Sequence, residues 1–427
     1  MVLGFRSFLC TLVTLFTLQG LAKTQVFFNH DDRVSYLDPY RQITRPGHNF
    51  EQVVINFIET AEESIDVAVQ EFRISRIAEA LVKKHKSGVA IRVVIDNSYN
   101  TRLPQEDLEL RPFIDIEKAI DILVTNGIDI TDDSAGTNGG HGLMHHKFVV
   151  VDKERVLVTS ANFTLRDFHG PPNSPDSLGN ANAMLVMDDQ EVAKIFLREF
   201  NYMFGAIKIL KPQERTPLFG QNKPHRSASE VKGHDGAIRV QFSPTSRLLP
   251  QEETTIGLIE REIADASESL DLALFVFSDQ TIADRLKALK NRSVIRLSVL
   301  IEKMFAFRAW SKGMDLLGLQ LLSSSCQYPK NSQPWSVPVE RVGVPVFAGV
   351  DKLHHKFAIV DGKKVIFGSK NWTEAATYNN DETVMVFEDQ DVTKEFLYEY
   401  QRMERNAHWG PLPWVKERIK EREEKCS

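Results

Sequence analysis

Two polar quartets occur in this chain at one spacing. His145, Lys147, Asp152 and Asn162 recur as His354, Lys356, Asp361 and Asn371. They sit in matching apolar strings, LMHHKFVVVDKERVLVTSAN and KLHHKFAIVDGKKVIFGSKN. One such string could be chance; packing alone would not produce two. Side chains two apart share a face of a strand. His145 therefore lies beside Lys147, with His146 pointing away, and His354 lies beside Lys356, with His355 pointing away. The next run of each copy, 156–159 or 365–367, brings up Ser160 and Asn162, or Ser369 and Asn371.

Imidazole, ammonium, hydroxyl and carboxamide converging on one spot make an anion site. Doubled about a pseudo-twofold axis, they suit a phosphodiester. Lysine and asparagine donate to its non-bridging oxygens and stabilise charge as it builds. One histidine attacks phosphorus; the other protonates the departing alkoxide and then activates water. The lysines supply the positive charge, and no His-Glu-x-x-His motif or carboxylate cluster is present, so neither a metal nor a cofactor is expected.

The elements that must hold these residues are duplicated as well. Segments 51–72 and 254–277 each read as an amphipathic helix followed by a buried strand. Segments 76–98 and 281–303 read as helix, turn and strand. After each quartet, 182–200 and 382–400 read as a strand, an Asp-Gln turn and a helix. Helical spacing giving way to short β-branched runs is the mark of β-α-β units. The expected architecture is two homologous α/β/α lobes with mixed sheets and helices on both faces, over 23–210 and 236–410. The polar stretch 211–235 is expected to be a linker with solvated basic residues, and 411–427 a charged tail. Three loops break the repeat and are candidates for substrate contact: 131–143, 165–181 and 323–337.

The chain has 427 residues and a net charge of −6, so it lacks the basic excess of a protein that grips nucleic acid by bulk charge. Residues 1–22 read as a signal peptide: Arg6, an apolar run, then Gly20-Leu21-Ala22 before Lys23. That implies a secreted or periplasmic protein, in which Cys326 and Cys426 could pair or remain free.

The paired motifs resemble those of the phospholipase D superfamily, HxKxxxxD followed by GSxN. The second copy matches throughout, with Gly368, Ser369 and Asn371; the first has Thr159 in place of the glycine. The resemblance implies one shared site between the lobes, a phosphohistidine intermediate, and a largely structural role for Asp152 and Asp361. Many members hold the histidine with a carboxylate downstream of the asparagine. Glu382 fits that place, but its first-lobe equivalent is Asn182. An amide stabilises imidazolium less well than a carboxylate does. On this reading Glu382 backs His354 as nucleophile and His145 is the acid. The family's frequent use of the first-lobe histidine gives the opposite order, with Asp132 or Asp133 as the partner.

The leading function is hydrolysis of phospholipids, with transient contact at a membrane surface and no obligate protein partner. The main rival is a nuclease acting on DNA or RNA by the same route. Phosphatidyl transfer and non-catalytic phosphate binding rank below both. Trp372, directly after Asn371, and its counterpart Phe163 are expected to wall the pocket; His141 and His169 are further candidates for substrate contact.

Overall fold

The computed structural model describes residues 24–101, 118–135, 142–205, 216–292 and 295–427. The expected signal peptide and His141 lie outside them. Each lobe is a mixed sheet built in the same order. In the first lobe the strands run Thr24–Phe28, Ala183–Met187, Arg155–Thr159, Lys147–Val151, Ser64–Val69, Ala90–Ile95 and Asp129–Asp132. The second lobe repeats them as Ala237–Ser243, Glu382–Phe387, Lys364–Gly368, Lys356–Val360, Ser269–Leu274, Arg296–Ile301 and Arg341–Val344. It adds an outer strand at each edge, Ser229–Lys232 and His408–Trp409. The His-Lys strands are central and buried along their length. Strands buried on both faces read as continuous apolar runs, and Phe148–Val151 and Phe357–Val360 do so.

Capping explains where the helices begin. Asp189 accepts the Glu191 and Val192 N–H groups at the start of Gln190–Phe204, and Asp389 accepts those of Asp391 and Val392 at the start of Gln390–Glu404. These are the repeated Asp-Gln turns. Both helices lie between the sheets. Phe196 of the first lobe meets Phe242 of the second with ring centroids 5.3 Å apart, and Phe28 meets Phe396 at 5.2 Å. One apolar core thus runs through both lobes, while two further cores lie on the outer faces under the remaining helices.

The 211–235 segment departs from expectation. Lys223 is buried and ion-pairs with Glu199 and, at 2.7 Å, with Asp381; Arg226 reaches Glu199 at 3.0 Å. These cations are therefore structural, since a buried carboxylate such as Glu199 needs them. At the chain's end, Pro413–Cys426 is a helix, and no described helix is long and apolar enough to cross a membrane.

Cys326 and Cys426 form a disulfide across a separation of 100 residues, their Cα atoms 5.4 Å apart. Loop closure of that size is worth on the order of 4–5 kcal/mol in the chain-entropy model. The Cys326→Ser/Cys426→Ser protein should therefore melt several degrees lower, as should the native chain under reduction. Unchanged melting curves in both cases would show that the bond does not form.

Candidate active site

The two lobes meet through backbone pairing at the site itself. Met144 bridges Asp381, and Ala181 bridges Leu353, both parallel. The His145 N–H donates to the Asp381 carbonyl at 3.0 Å, and the His354 N–H to that of Ala181 at 3.0 Å. Each catalytic candidate therefore starts its strand against the other lobe. The next residue along each bridged partner is Glu382 or Asn182.

This geometry corrects the pairing read from the sequence. His145 Nδ1 lies 2.6 Å from Glu382 Oε2, so the carboxylate backs the first-lobe histidine, not His354. The cause is strand order: within the second sheet, Lys364–Gly368 separates the Glu382 strand from the His354 strand. His354 Nδ1 instead lies 2.9 Å from Asn182 Oδ1. The amide's Nδ2 donates to the Asn180 carbonyl at 3.0 Å, which leaves the oxygen to accept from the imidazole. Asp132 and Asp133 do not stand in for Glu382. Asp133 accepts the Asn97 N–H, and Asp132 accepts from Asn100 and Ser134.

Ser160 and Ser369 also differ from expectation, because their hydroxyls stand behind the pocket. Ser160 Oγ donates to Asn182 Oδ1 at 2.7 Å and accepts the Ala183 N–H; Ser369 Oγ donates to Glu382 Oε2 at 2.7 Å and accepts the Thr383 N–H. Each serine fixes the group that holds the opposite lobe's histidine. Thr159, in the glycine position, donates to the Ala183 carbonyl.

Lys147 and Lys356 are buried, each donating to the carbonyl of its own histidine, at 2.8 and 2.7 Å. Lys147 also reaches Gln70 Oε1 at 3.2 Å. Burial pulls the Lys147 ammonium down to about 8, against the pull of Glu382 and Asp167. Burial and then Lys147 push Lys356 well below the ordinary lysine range. Burial lowers His145 to about 4, although Glu382 opposes the shift. His354 is also pushed down, by burial and then by the two lysines. Glu382 is held below its usual range: burial raises it, but the attraction of His145 and hydrogen bonds from His145 and Ser369 outweigh that. At neutral pH the site therefore holds neutral imidazoles beside an ionised carboxylate. Asn162 and Asn371 are half-buried at its edge, and both carboxamide oxygens lack a hydrogen-bond partner among the described residues.

Asp152 and Asp361 end the His-Lys strands on the far side, about 16 Å away at 3.3 Å per residue. Asp152 accepts the N–H groups of Glu62, Glu63 and Ser64, and Asp361 those of Ser267, Glu268 and Ser269. They clamp a strand start and touch nothing in the site.

His146 and His355 lie on the far faces, bonded to Glu199 at 3.3 Å and Glu399 at 2.9 Å. Trp372 and Phe163 are core rather than pocket wall: each is fully buried, against Phe277 and Phe72 respectively. His169 is also buried, between Glu51 at 3.1 Å and the Tyr36 hydroxyl at 2.8 Å.

Two charged residues went unnoticed in the sequence. Asp167, in the 165–181 insertion, takes the Asn162 N–H at 2.7 Å and comes within 4.0 Å of His354 Nδ1. Lys370, between Ser369 and Asn371, is buried and bonds Thr377 Oγ1 at 2.8 Å; burial lowers it to about 8. Lys370 was readable from its place in the motif. Asp167 was not, because its counterpart in the second lobe is Ala376.

The two like lobes, joined by backbone pairing next to each histidine, form a two-lobed fold with a His-Lys pair contributed by each lobe. Residues 54–204 and 259–404, more than half of the chain, match the family model described as cardiolipin synthase, PLD-like domain, and the chain belongs to that phospholipase D family. The mitochondrial cardiolipin hydrolase of Mus musculus is 31% identical over 157 residues, 36% of this chain and 60% of that protein. The phospholipase D of Rickettsia conorii is 27% identical over 186 residues, 44% of this chain and 82% of that protein. The crystal structure of phosphatidylserine synthase from Haemophilus influenzae Rd KW20 covers 90% of this chain and 87% of its own, with TM-score 0.56 at 13% identity, a likeness of fold alone.

The electrostatics set a pH profile. The neutral form of His145, whose Nε2 lone pair could attack phosphorus, is lost as pH falls through about 4. Lys147 binds an anion only as a cation, and that form is lost as pH rises through about 8. On a soluble phosphodiester, kcat/KM should be a bell between those limbs. Glu382→Gln removes the charge that raises His145, so the acid limb should move lower while the plateau drops by about 10²–10³. An unmoved acid limb in that variant would separate Glu382 from the chemistry.

Proposed function

We propose that the chain is a phosphodiesterase of the phospholipase D type in which His145 is the nucleophile and His354 the acid. The observation that supports this most is the 2.6 Å contact between His145 Nδ1 and Glu382 Oε2. The carboxylate accepts the Nδ1 proton, leaves the Nε2 lone pair free for attack, and stabilises the positive ring of a phosphohistidine. His145 Nε2 bonds to phosphorus as the bond to the leaving alkoxide breaks. His354 Nε2–H passes its proton to that alkoxide. His354 then takes a proton from water, the resulting hydroxide attacks phosphorus, and His145 leaves neutral with a phosphomonoester released. Lys147 and Lys356 neutralise the non-bridging oxygens throughout. Burial is the first cause that holds His354 neutral and the two lysines the next; a bound phosphodiester monoanion offsets the lysines and so favours the protonated His354 that the first step needs. No step calls on a metal or cofactor.

The substrate class we infer is phospholipid, supported by the names of the mouse and Rickettsia relatives. The phosphatidylserine synthase fold neighbour favours a second reading, in which an alcohol replaces water in the second half of the same reaction. Nucleic acid is the other substrate to test. For location we keep the secreted or periplasmic reading. A disulfide suits an oxidising compartment.

Two measurements test this. Turnover of phosphatidylcholine, cardiolipin and single-stranded DNA in EDTA, with and without an added alcohol, should favour a lipid. Rapid acid-free quenching with labelled substrate should place the phosphoryl group on His145, and His354→Ala should lower turnover by about 10²–10⁴. Label on residue 354 would reverse the two roles; full activity after His145→Ala would end the covalent reading.

A further inference from the structure

The two walls of the site differ in kind. Gln70 of the first lobe, bonded to Lys147, is matched in the second by Phe275, and Tyr99 by Phe305. The Phe275 ring stands edge-on to the His354 imidazole at 4.7 Å and to Phe305 at 4.9 Å, and Phe305 lies 6.2 Å from Trp310. An aromatic path therefore leads from His354 to the surface.

Where it emerges, Met304, Trp310 and Trp414 are 45%, 36% and 39% exposed. Met304 and Trp414 line a pocket of about 400 Å³ whose rim includes Lys303, Arg308 and Arg418, and Trp310 follows two residues after Arg308. The one carboxylate there, Glu302, is turned inward to accept the Leu353 and Met304 N–H groups at 2.8 and 3.2 Å. The face thus presents three cations and three large apolar side chains on a chain of net charge −6.

We propose that this face seats on an anionic phospholipid surface, and that Phe275 and Phe305 receive the apolar half of the substrate while its polar half lies over Gln70. Apolar residues with flanking lysine and arginine are what an interface of lipid headgroups binds. A nucleic-acid strand fits less well. It must leave the site in both directions, whereas the three rim cations all belong to the second lobe. The inference rests on the phosphodiesterase reading for the substrate's orientation, but not for membrane binding.

The test uses the native chain, a Met304→Ser/Trp310→Ser variant and a Lys303→Glu/Arg418→Glu variant. Binding to phosphatidylcholine vesicles with and without cardiolipin is measured by co-sedimentation, and turnover is followed on vesicles and on bis(p-nitrophenyl) phosphate. Native chain should bind the cardiolipin vesicles better, and each variant should bind them about tenfold more weakly. Turnover of the soluble diester should stay within about twofold, since the changed residues are on the surface. Unchanged vesicle binding in both variants, or loss of single-stranded DNA binding in its place, would overturn the proposal. A native chain that binds vesicles but never cleaves the soluble diester would instead count against the phosphodiesterase reading.

Discussion

The structure depends on two short parallel bridges, Met144 to Asp381 and Ala181 to Leu353. Each joins the start of one lobe's His-Lys strand to the residue before the other lobe's Glu382 or Asn182. Backbone pairing of this sort permits no sliding, because a shift of one residue turns every side chain to the opposite face. The bridges therefore decide which group holds which histidine. A Cβ on Gly142 would collide with the Asn379 carbonyl, so the chain approaches the partner lobe there at the distance only glycine allows.

Around that seam the charges fall into two layers. In the site, Lys147 and Lys356 face Glu382 and Asp167, close enough to shift one another. Burying such groups is costly unless each has a partner or a ligand to neutralise it, and a phosphate monoanion supplies what the lysines lack. Behind the site, Glu199 is held by Lys223, Arg226 and His146, and Glu399 by Arg402 and His355. Those clusters tie the central helices to the His-Lys strands and keep the second histidine of each pair away from the pocket.

Three of the places where the duplicated fold broke symmetry bear on the chemistry. Asn182 stands for Glu382, and Phe275 for Gln70. Asp167 has no acidic counterpart and brings a carboxylate near His354, where the amide alone faces the imidazole. The two histidines therefore meet different fields, although their strands are nearly superposable in sequence.

Much of this was legible beforehand. The repeated quartets, the β-α-β units and the alternation that separates His145 from His146 all follow from local spacing, which is a property of the strand itself. The structural role of Asp152 and Asp361 followed from the family resemblance. The pairing of Glu382 with His145, the retreat of Ser160 and Ser369 behind the pocket, the burial of Trp372 and the arrival of Asp167 did not. All four depend on which elements pack side by side, and the first and last on contacts between lobes. Spacing along the chain determined which residues share a face; only the packing of one lobe on the other decided which faces meet, because strand order and cross-lobe register leave no trace in the separation of residues along the sequence.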